Sequence, residues 1–344
     1  ETAASKLGVP IVKVFDVSLK PERASVAEVY HFIKEEIALA EQISVVGTAR
    51  SERITKDAVW ALKSKIQLLM HDFSEAATTA QVLINSGRYP LVTTESELLA
   101  GWRNDTWSED ILLMSITAAE PQHMNNLGIF DNQDAFSSPK RHVPGMLPTQ
   151  PVVNLFLANA GDLRNNVYLS NPATDMVKIN NADRPGVVFI RKWPMNSLYV
   201  PNTFYHKQKV ARIAEQYLIA AEALHASGGN GLSVLNELRT KRGAPALNTW
   251  SDEELRNEWV REMIGEGVRV ECLKRWHIGF GGSQILSARN PQNADIIEGG
   301  NNQAEYAQRE CRPDYYRLTL PVPENEMLYN ASIKQTPEWN SLEP

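Results

Sequence analysis

Between residues 123 and 142 the chain reads HMNNLGIFDNQDAFSSPKRH, a run that mixes rings, amides, carboxylates and cations without helical or strand periodicity. Phe130 and Phe136 offer flat apolar faces of the kind that stack on the apolar face of a sugar ring. His123, Asn125, Asn126, Asp131, Asn132 and Arg141 carry the donors and acceptors that sugar hydroxyls need. The same groups could equally hold a peptide backbone. Asp131, Asn132 and Asp134 also present oxygens suited to calcium, although their spacing is not that of an EF-hand loop, and no other cofactor is implied. For any one of these residues the plain alternative is a solvated loop without a ligand.

Other residues invite catalytic readings that fade on inspection. Glu262 and Glu266 lie one helical turn apart and could act as an acid and base pair, given a suitable span across a substrate and a shifted pKa. Arg261, Arg269 and Arg275 are close in sequence, and pairing with them would instead keep both carboxylates charged. The histidines show no metal-ligand spacing of the H-E-x-x-H type, and His71 and His225 sit at helix ends, where capping is expected. Ser233 in GLSVL and Ser283 in GGSQI miss the second glycine of a G-x-S-x-G nucleophile elbow, and Gly228, Gly229 and Gly231 lack a phosphate-loop context. Arg191-Lys192-Trp193, Trp102 and Trp107 could form stacking surfaces, but buried packing is the default for such rings. No enzyme motif survives, so the chain is expected not to be an enzyme.

Two helical segments must position whatever the loop does. Residues 212–245 read as a hairpin, with Ile213, Tyr217, Ala220, Ala221 and Leu224 on one face and Leu232, Leu235 and Leu238 on the return. Residues 55–87 form a similar unit: Thr55 caps a helix with Ala58, Leu62, Ile66 and Leu69, and His71-Asp72 turn the chain. Phe73, Ala76, Ala77, Ala80 and Ile84 return, ending at Gly87 as a left-handed cap. Both units have about the length of a tetratricopeptide repeat. The predicted fold class is therefore mainly α, a superhelical scaffold of tetratricopeptide-like hairpins with long irregular loops and few short strands. Its helical parts are expected at 25–87 and 208–276, its loop-rich ligand region at about 100–205 and an extended tail at 315–344, all within one domain spanning 1–344. Ser25 is expected to cap a helix reaching about Ile43, with Val29, Phe32, Ile33, Ile37 and Ala40 on its apolar side. Residues 111–116 are expected to be a short buried strand or helix, and 148–158 a short helix. Ser251 with Glu254 reads as a capping box opening a charge-dense helix that ends near Gly265.

Composition narrows the function. A net charge of −6 and pI near 5.7 argue against a nucleic-acid partner. No apolar run approaches the roughly 18 residues of a membrane span. Two cysteines, Cys272 and Cys311, are too few for a disulfide framework or a zinc site. The opening ETAASKLGVPIV has neither an initiator methionine nor a signal-peptide pattern, as expected of a processed chain or a fragment.

Four motifs, in order, carry a resemblance. They are Leu7-Gly8-Val9-Pro10 followed by Arg23-Ala24-Ser25-Val26, then Arg53-Ile54-Thr55-Lys56-Asp57-Ala58-Val59 with Phe73, Ala76, Ala77 and Tyr89. Next come Arg212, Ala214-Glu215, Tyr217-Leu218-Ile219 and Ala221-Glu222-Ala223, and last Leu320-Pro321-Val322-Pro323 with Glu326, Asn330 and residues 335–339. The chain resembles the SusD/RagB group of surface-exposed outer-membrane nutrient-binding lipoproteins. Ala331 stands where that family usually has proline, and Glu338 replaces a glycine. The resemblance implies a non-catalytic protein at the cell surface that captures an oligomeric nutrient, a glycan foremost and a peptide as the other option. It further implies delivery to a TonB-dependent outer-membrane transporter of the SusC type. The resemblance also leads one to expect a lipid-bearing cysteine and about a hundred or more residues upstream of Leu7-Gly8-Val9-Pro10 in the full-length protein. Two rivals remain: a tetratricopeptide-type protein-interaction module with passive loops, and a helical glycoside hydrolase.

Overall fold

The computed structural model describes residues 4–47, 52–105, 107–115, 133–134, 141–144, 147–179, 182–194, 206–281, 310–311 and 318–340. Ser25 opens α1 (Val26–Ala40) with a full capping box, its hydroxyl accepting from the Glu28 amide while the Glu28 carboxylate accepts from Ser25. The helix stops at Ala40, before the expected Ile43, and none of its residues is fully buried, so its apolar side is only half covered.

The first predicted hairpin is α2 (Lys56–Leu69) and α3 (Phe73–Asn85). Thr55 caps α2, His71 turns the chain at φ 62°, and Gly87 takes the left-handed conformation at φ 64°. After α4 (Glu95–Asn104), the strand β1 (Asp110–Leu113) is buried along its length and pairs antiparallel with β6 (Lys209–Arg212). Of the expected strand or helix at 111–116, residues 111–113 are thus strand, and residue 116 lies outside the described residues.

Between these two strands the chain makes an excursion with more structure than its sequence suggests. It holds β2 (Gln133–Asp134), β3 (Arg141–His142), β4 (Val177–Ile179) and β5 (Ala182–Arg184), joined in that order as one small sheet. The strands are two or three residues long, too short to show an alternating pattern. The excursion also carries α5 (Gln150–Leu157), as expected, and α6 (Arg164–Tyr168).

The second hairpin is α7 (Ile213–Ala226) with α8 (Gly231–Lys241). α7 is the axis of the scaffold: residues 213–223 are buried all round, and its alanines allow close approach of α3, whose Ala76, Ala77 and Ala80 are also buried. Ser64 of α2 donates to the Gln216 side-chain oxygen of α7 at 2.6 Å, satisfying both groups inside this core. Gly231 begins α8 so close to α7 that a Cβ there would meet the Ala221 carbonyl oxygen at 2.2 Å.

The charge-dense segment that follows is two helices, α9 (Asp252–Met263) and α10 (Arg269–Arg275). Gly265 and Gly267 lie at positive φ, 78° and 84°, and turn the chain between them. Ser251 accepts from the Glu254 amide, which gives half of the expected capping box. Phe280–Gly281 (β7) pairs with Glu310–Cys311 (β8). The tail is not wholly extended, since it forms short helices α11 (Glu324–Tyr329) and α12 (Pro337–Asn340). Arg23 ties the two ends together, donating to the carbonyls of Gly8, Leu7 and Lys334 at 2.7, 2.9 and 3.0 Å. The first and last sequence motifs are thus one physical unit. The architecture is mainly helical and tetratricopeptide-like, as the periodicity predicts.

Candidate functional site

The excursion leaves and re-enters the scaffold through β1 and β6, and the Met114 amide donates to the Gln208 carbonyl at 2.9 Å just beyond them. His123, Asn125, Asn126, Phe130, Asp131, Asn132 and Phe136 lie outside the described residues, and of Asp134 only the backbone is described. Arg141 is described. It stands on β3, where its guanidinium makes two parallel hydrogen bonds to Asp183 of β5, at 2.9 and 2.8 Å. That pairing raises the Arg141 pKa and lowers that of Asp183. The neighbouring His142 is buried, with its ring 4.8 Å from that of Phe189, and β3 and β4 run parallel through His142 and Val177. Val177, Val187 and Phe189 form a small core behind this strand. The root of the predicted loop is therefore anchored by a fork-shaped ion pair on one side and by apolar packing on the other.

Beneath the excursion lies a buried network of charges. Glu262, fully buried, accepts from Arg212 at 2.5 Å, from Arg164 at 3.0 Å and from Arg242 at 3.0 and 3.1 Å. Arg242 reaches the other way to Glu109, at 2.7 and 2.8 Å. Glu266 accepts from Arg212 at 2.7 and 2.9 Å and from Lys192 at 2.5 Å. Glu258 pairs with Arg164, Arg239 and Arg261 at 2.7, 2.9 and 2.9 Å. Aromatic rings close the network from one side, with the Lys192 ammonium 4.5 Å from the Trp102 ring centre and 4.3 Å from that of Tyr168. Trp193 and Tyr168 both stand edge-on to Trp102, at 5.5 and 5.9 Å, and Trp107 packs beside it at 5.4 Å. Lys192, Trp193 and Trp102 are thus core, Trp107 is half-buried against them, and Arg191 is half-buried and paired with Asp175 at 2.8 Å, so this segment is not a stacking surface.

This geometry decides the chemistry of the carboxylate pair. Burial alone would raise the pKa of Glu262, but Arg242, Arg212 and Arg164 together hold it well below the ordinary carboxylate range. Glu266 is likewise lowered, its burial outweighed by Arg212 and Lys192. Two carboxylates held ionised have no proton to give a leaving group, so the pair is unsuited to acid catalysis. Their expected partners need correcting. Arg261 pairs with Glu258, Arg275 pairs with Glu222 at 2.7 and 3.0 Å, and Arg269 pairs with no carboxylate among the described residues. The reason is the glycine turn after α9, which swings Glu266 inward and separates it from the α10 side chains. The real partners come from positions 164, 192, 212 and 242, which sequence proximity could not nominate.

Among the described residues there is no group of three or more His, Cys, Asp or Glu side chains arranged for a metal. Cys272 is buried with a free thiol, and burial pushes its pKa up to about 11. One aromatic groove went unread in the sequence. It has a volume of about 280 Å³ between the hairpin ends, lined by Phe73, His225, Trp250, Asp252, Arg256 and Trp276 among others. His225 stacks on Trp250 there, with centroids 4.0 Å apart and planes 16° apart, so its ring packs within a groove, and the C-cap of α7 is Ser227. The signal available was only an aromatic just before a helix cap, which by itself says little.

Comparison with known proteins gives this framework its context. Over 125 residues the chain is 39% identical to the starch-binding protein SusD of Bacteroides thetaiotaomicron, a stretch covering 36% of this chain and 20% of that protein. The match thus spans about a fifth of the length of that curated relative. Among solved structures, a SusD superfamily protein from Bacteroides thetaiotaomicron superposes with a TM-score of 0.74 at 23% identity, over 97% of this chain and 72% of the other. A SusD-like carbohydrate binding protein from Bacteroides vulgatus gives 0.68 at 19% identity, over 96% and 70%. A laminarin binding SusD-like protein gives 0.66 at 18% identity, over 97% and 75%. At these identities the structural likeness speaks for the fold alone. The family model described as the SusD family matches residues 118–339, well over half of the sequence, and the chain belongs to that family.

Proposed function

We propose that this chain is the ligand-binding part of a non-catalytic cell-surface protein that captures an oligosaccharide and passes it to a TonB-dependent outer-membrane transporter of the SusC type. Membership of the SusD family carries the reading, because the matched residues include the whole 123–142 loop, and relatives are named for binding starch and laminarin. The ionised state of Glu262 and Glu266 supports binding without bond cleavage. Among the described residues no helix is long and apolar enough to cross a membrane, which accords with attachment through a lipid anchor in the full-length protein. Affinity would come from stacking and hydrogen bonds on a largely preformed surface. His123, Asn125, Asn126, Phe130, Asp131, Asn132, Phe136 and Arg141 are the proposed ligand contacts.

The test is a glycan and short-peptide array, with calorimetry on each hit and with the variants Phe130→Ala, Phe136→Ala and Trp250→Ala. A glycan hit weakened by a phenylalanine change supports the loop. Weakening by Trp250→Ala alone would move the site to the hairpin groove. A hit on peptides only would replace the ligand class, and silence from the full-length mature protein on every glycan would defeat the proposal.

A further inference from the structure

The turn from α9 to α10 encloses an apolar cavity of about 180 Å³, walled by Val152, Trp259, Met263, Ile264, Val268 and Cys272. At this cavity one buried donor lacks an acceptor and one cation lacks a carboxylate. Trp259 is only 4% exposed, and its indole N–H has no hydrogen-bond partner. Leaving such a buried donor unpaired costs about 1–3 kcal/mol, so an orphan of this kind calls for an explanation. Arg269, which also lines the cavity, has no carboxylate partner among the described residues, whereas Arg261 and Arg275 on either side of it in sequence are both ion-paired. Desolvation is the largest influence on the Arg269 guanidinium and lowers its pKa. The Cys272 side opposes that, and a second cation, Arg256, reinforces it. Arg269 and Gly267 are the exposed members of the lining and mark its open side.

An apolar box with an unpaired guanidinium at its mouth and an unpaired N–H in its wall has a definite complement: an apolar body ending in a carboxylate. The guanidinium fork matches a planar carboxylate in two parallel hydrogen bonds. Size sets the body, since an apolar cavity of about 150 Å³ is enough to hold a benzene ring. We propose that this cavity is a binding site for a small aromatic or short-acyl carboxylate, seated with its apolar end inward and its carboxylate on Arg269. The site lies on the scaffold and depends on no part of the glycan reading.

Calorimetric titration of the chain with benzoate, phenylacetate and hexanoate tests it, with benzyl alcohol as the uncharged control. One saturable site is expected for at least one acid, with weaker binding of the alcohol. Arg269→Gln should weaken the acid by about tenfold or more, with Arg269→Lys in between, because a charge-assisted bidentate contact is lost. Arg269 is exposed and unpaired, so both variants should melt as the parent does. The proposal is overturned if no acid saturates at millimolar concentration on a protein with an intact thermal transition. It is overturned equally if Arg269→Gln binds as the parent does, or if benzyl alcohol matches benzoate.

Discussion

Replacing Glu262 by glutamine should be a severely destabilising isosteric change. The carboxylate is fully buried and accepts from three guanidiniums, those of Arg164, Arg212 and Arg242, at distances from 2.5 to 3.1 Å. The amide keeps the shape but removes the charge and turns one acceptor into a donor facing a cation. Breaking a buried pair from one side costs about 3–5 kcal/mol, because the remaining charge is left uncompensated. At about 2 °C per kcal/mol for a chain of this size, Tm should fall by roughly 6–10 °C near pH 7. The pH dependence separates charge from packing. The folded pKa of Glu262 lies below its unfolded value of about 4.3, so its contribution is complete above that value and is lost as pH falls toward the folded pKa. The gap between parent and Glu262→Gln should therefore be widest at pH 6–7 and shrink below about pH 4. Calorimetric melts of both proteins from pH 3 to 7 provide the measurement. A Tm within about 1 °C of the parent, or a gap that stays constant down to pH 3, would falsify the electrostatic account.

Two further outcomes follow from the same interior. Burial pulls the Lys192 ammonium down to about 7, and Arg212 works in the same direction against Glu266. The unfolded chain then binds more protons than the folded one between pH 7 and the ordinary lysine value, so stability should rise with pH from about 6.5 to 9.5. Denaturant midpoints of Lys192→Met should lack that rise, and an identical slope in both proteins would refute it. Gly231→Ala should destabilise by about 3 kcal/mol, since its Cβ would meet the Ala221 backbone oxygen at 2.2 Å and only a shift of α8 relieves the clash. Urea titration would detect this, and a change under about 0.5 kcal/mol would show that the helix pair is looser than described.

The helical scaffold was legible because its signals are local. Thr55, Ser25 and Ser251 cap where their types and spacing say, Gly87 takes the left-handed conformation, and the alanines of α3 and α7 mark close approach. The small sheet was not, since strands of two or three residues leave no period to read. Nor was the charge network, whose pairs join Glu109 to Arg242 and Glu262 to Arg164 across distances that no helical spacing encodes. Residues near Glu262 were natural partners on paper, and the two glycines after α9 made them the wrong ones. The groove around Trp250 depends on how four helices meet and the cavity around Trp259 on how three do, which a single chain of letters does not state.

The placement of the buried charges suggests what they are for. An apolar core of equal volume would be as stable or more so, so stability alone is a weak reason for so many ion pairs. What these pairs do is fix relative position. Glu109 and Asp110 sit at the start of β1, and Arg212 and Lys209 belong to β6, so the two ends of the excursion carrying the 123–142 loop are both gripped. Asp110 pairs with Lys209 across the sheet at 3.3 Å, while Arg242 and Glu262 hold Glu109 and Arg212 to the scaffold. Lys192 binds the late part of the same excursion to the backbone carbonyl of Glu262, at 2.7 Å. Each contact is directional and would be lost by a small slip, whereas apolar packing tolerates one. An excursion gripped this way at β1 and β6 has its two roots fixed before any ligand arrives, which lowers the entropy that binding must overcome. The same logic accounts for carboxylates that are held ionised and surrounded by cations: their contacts fix the excursion's roots on the scaffold.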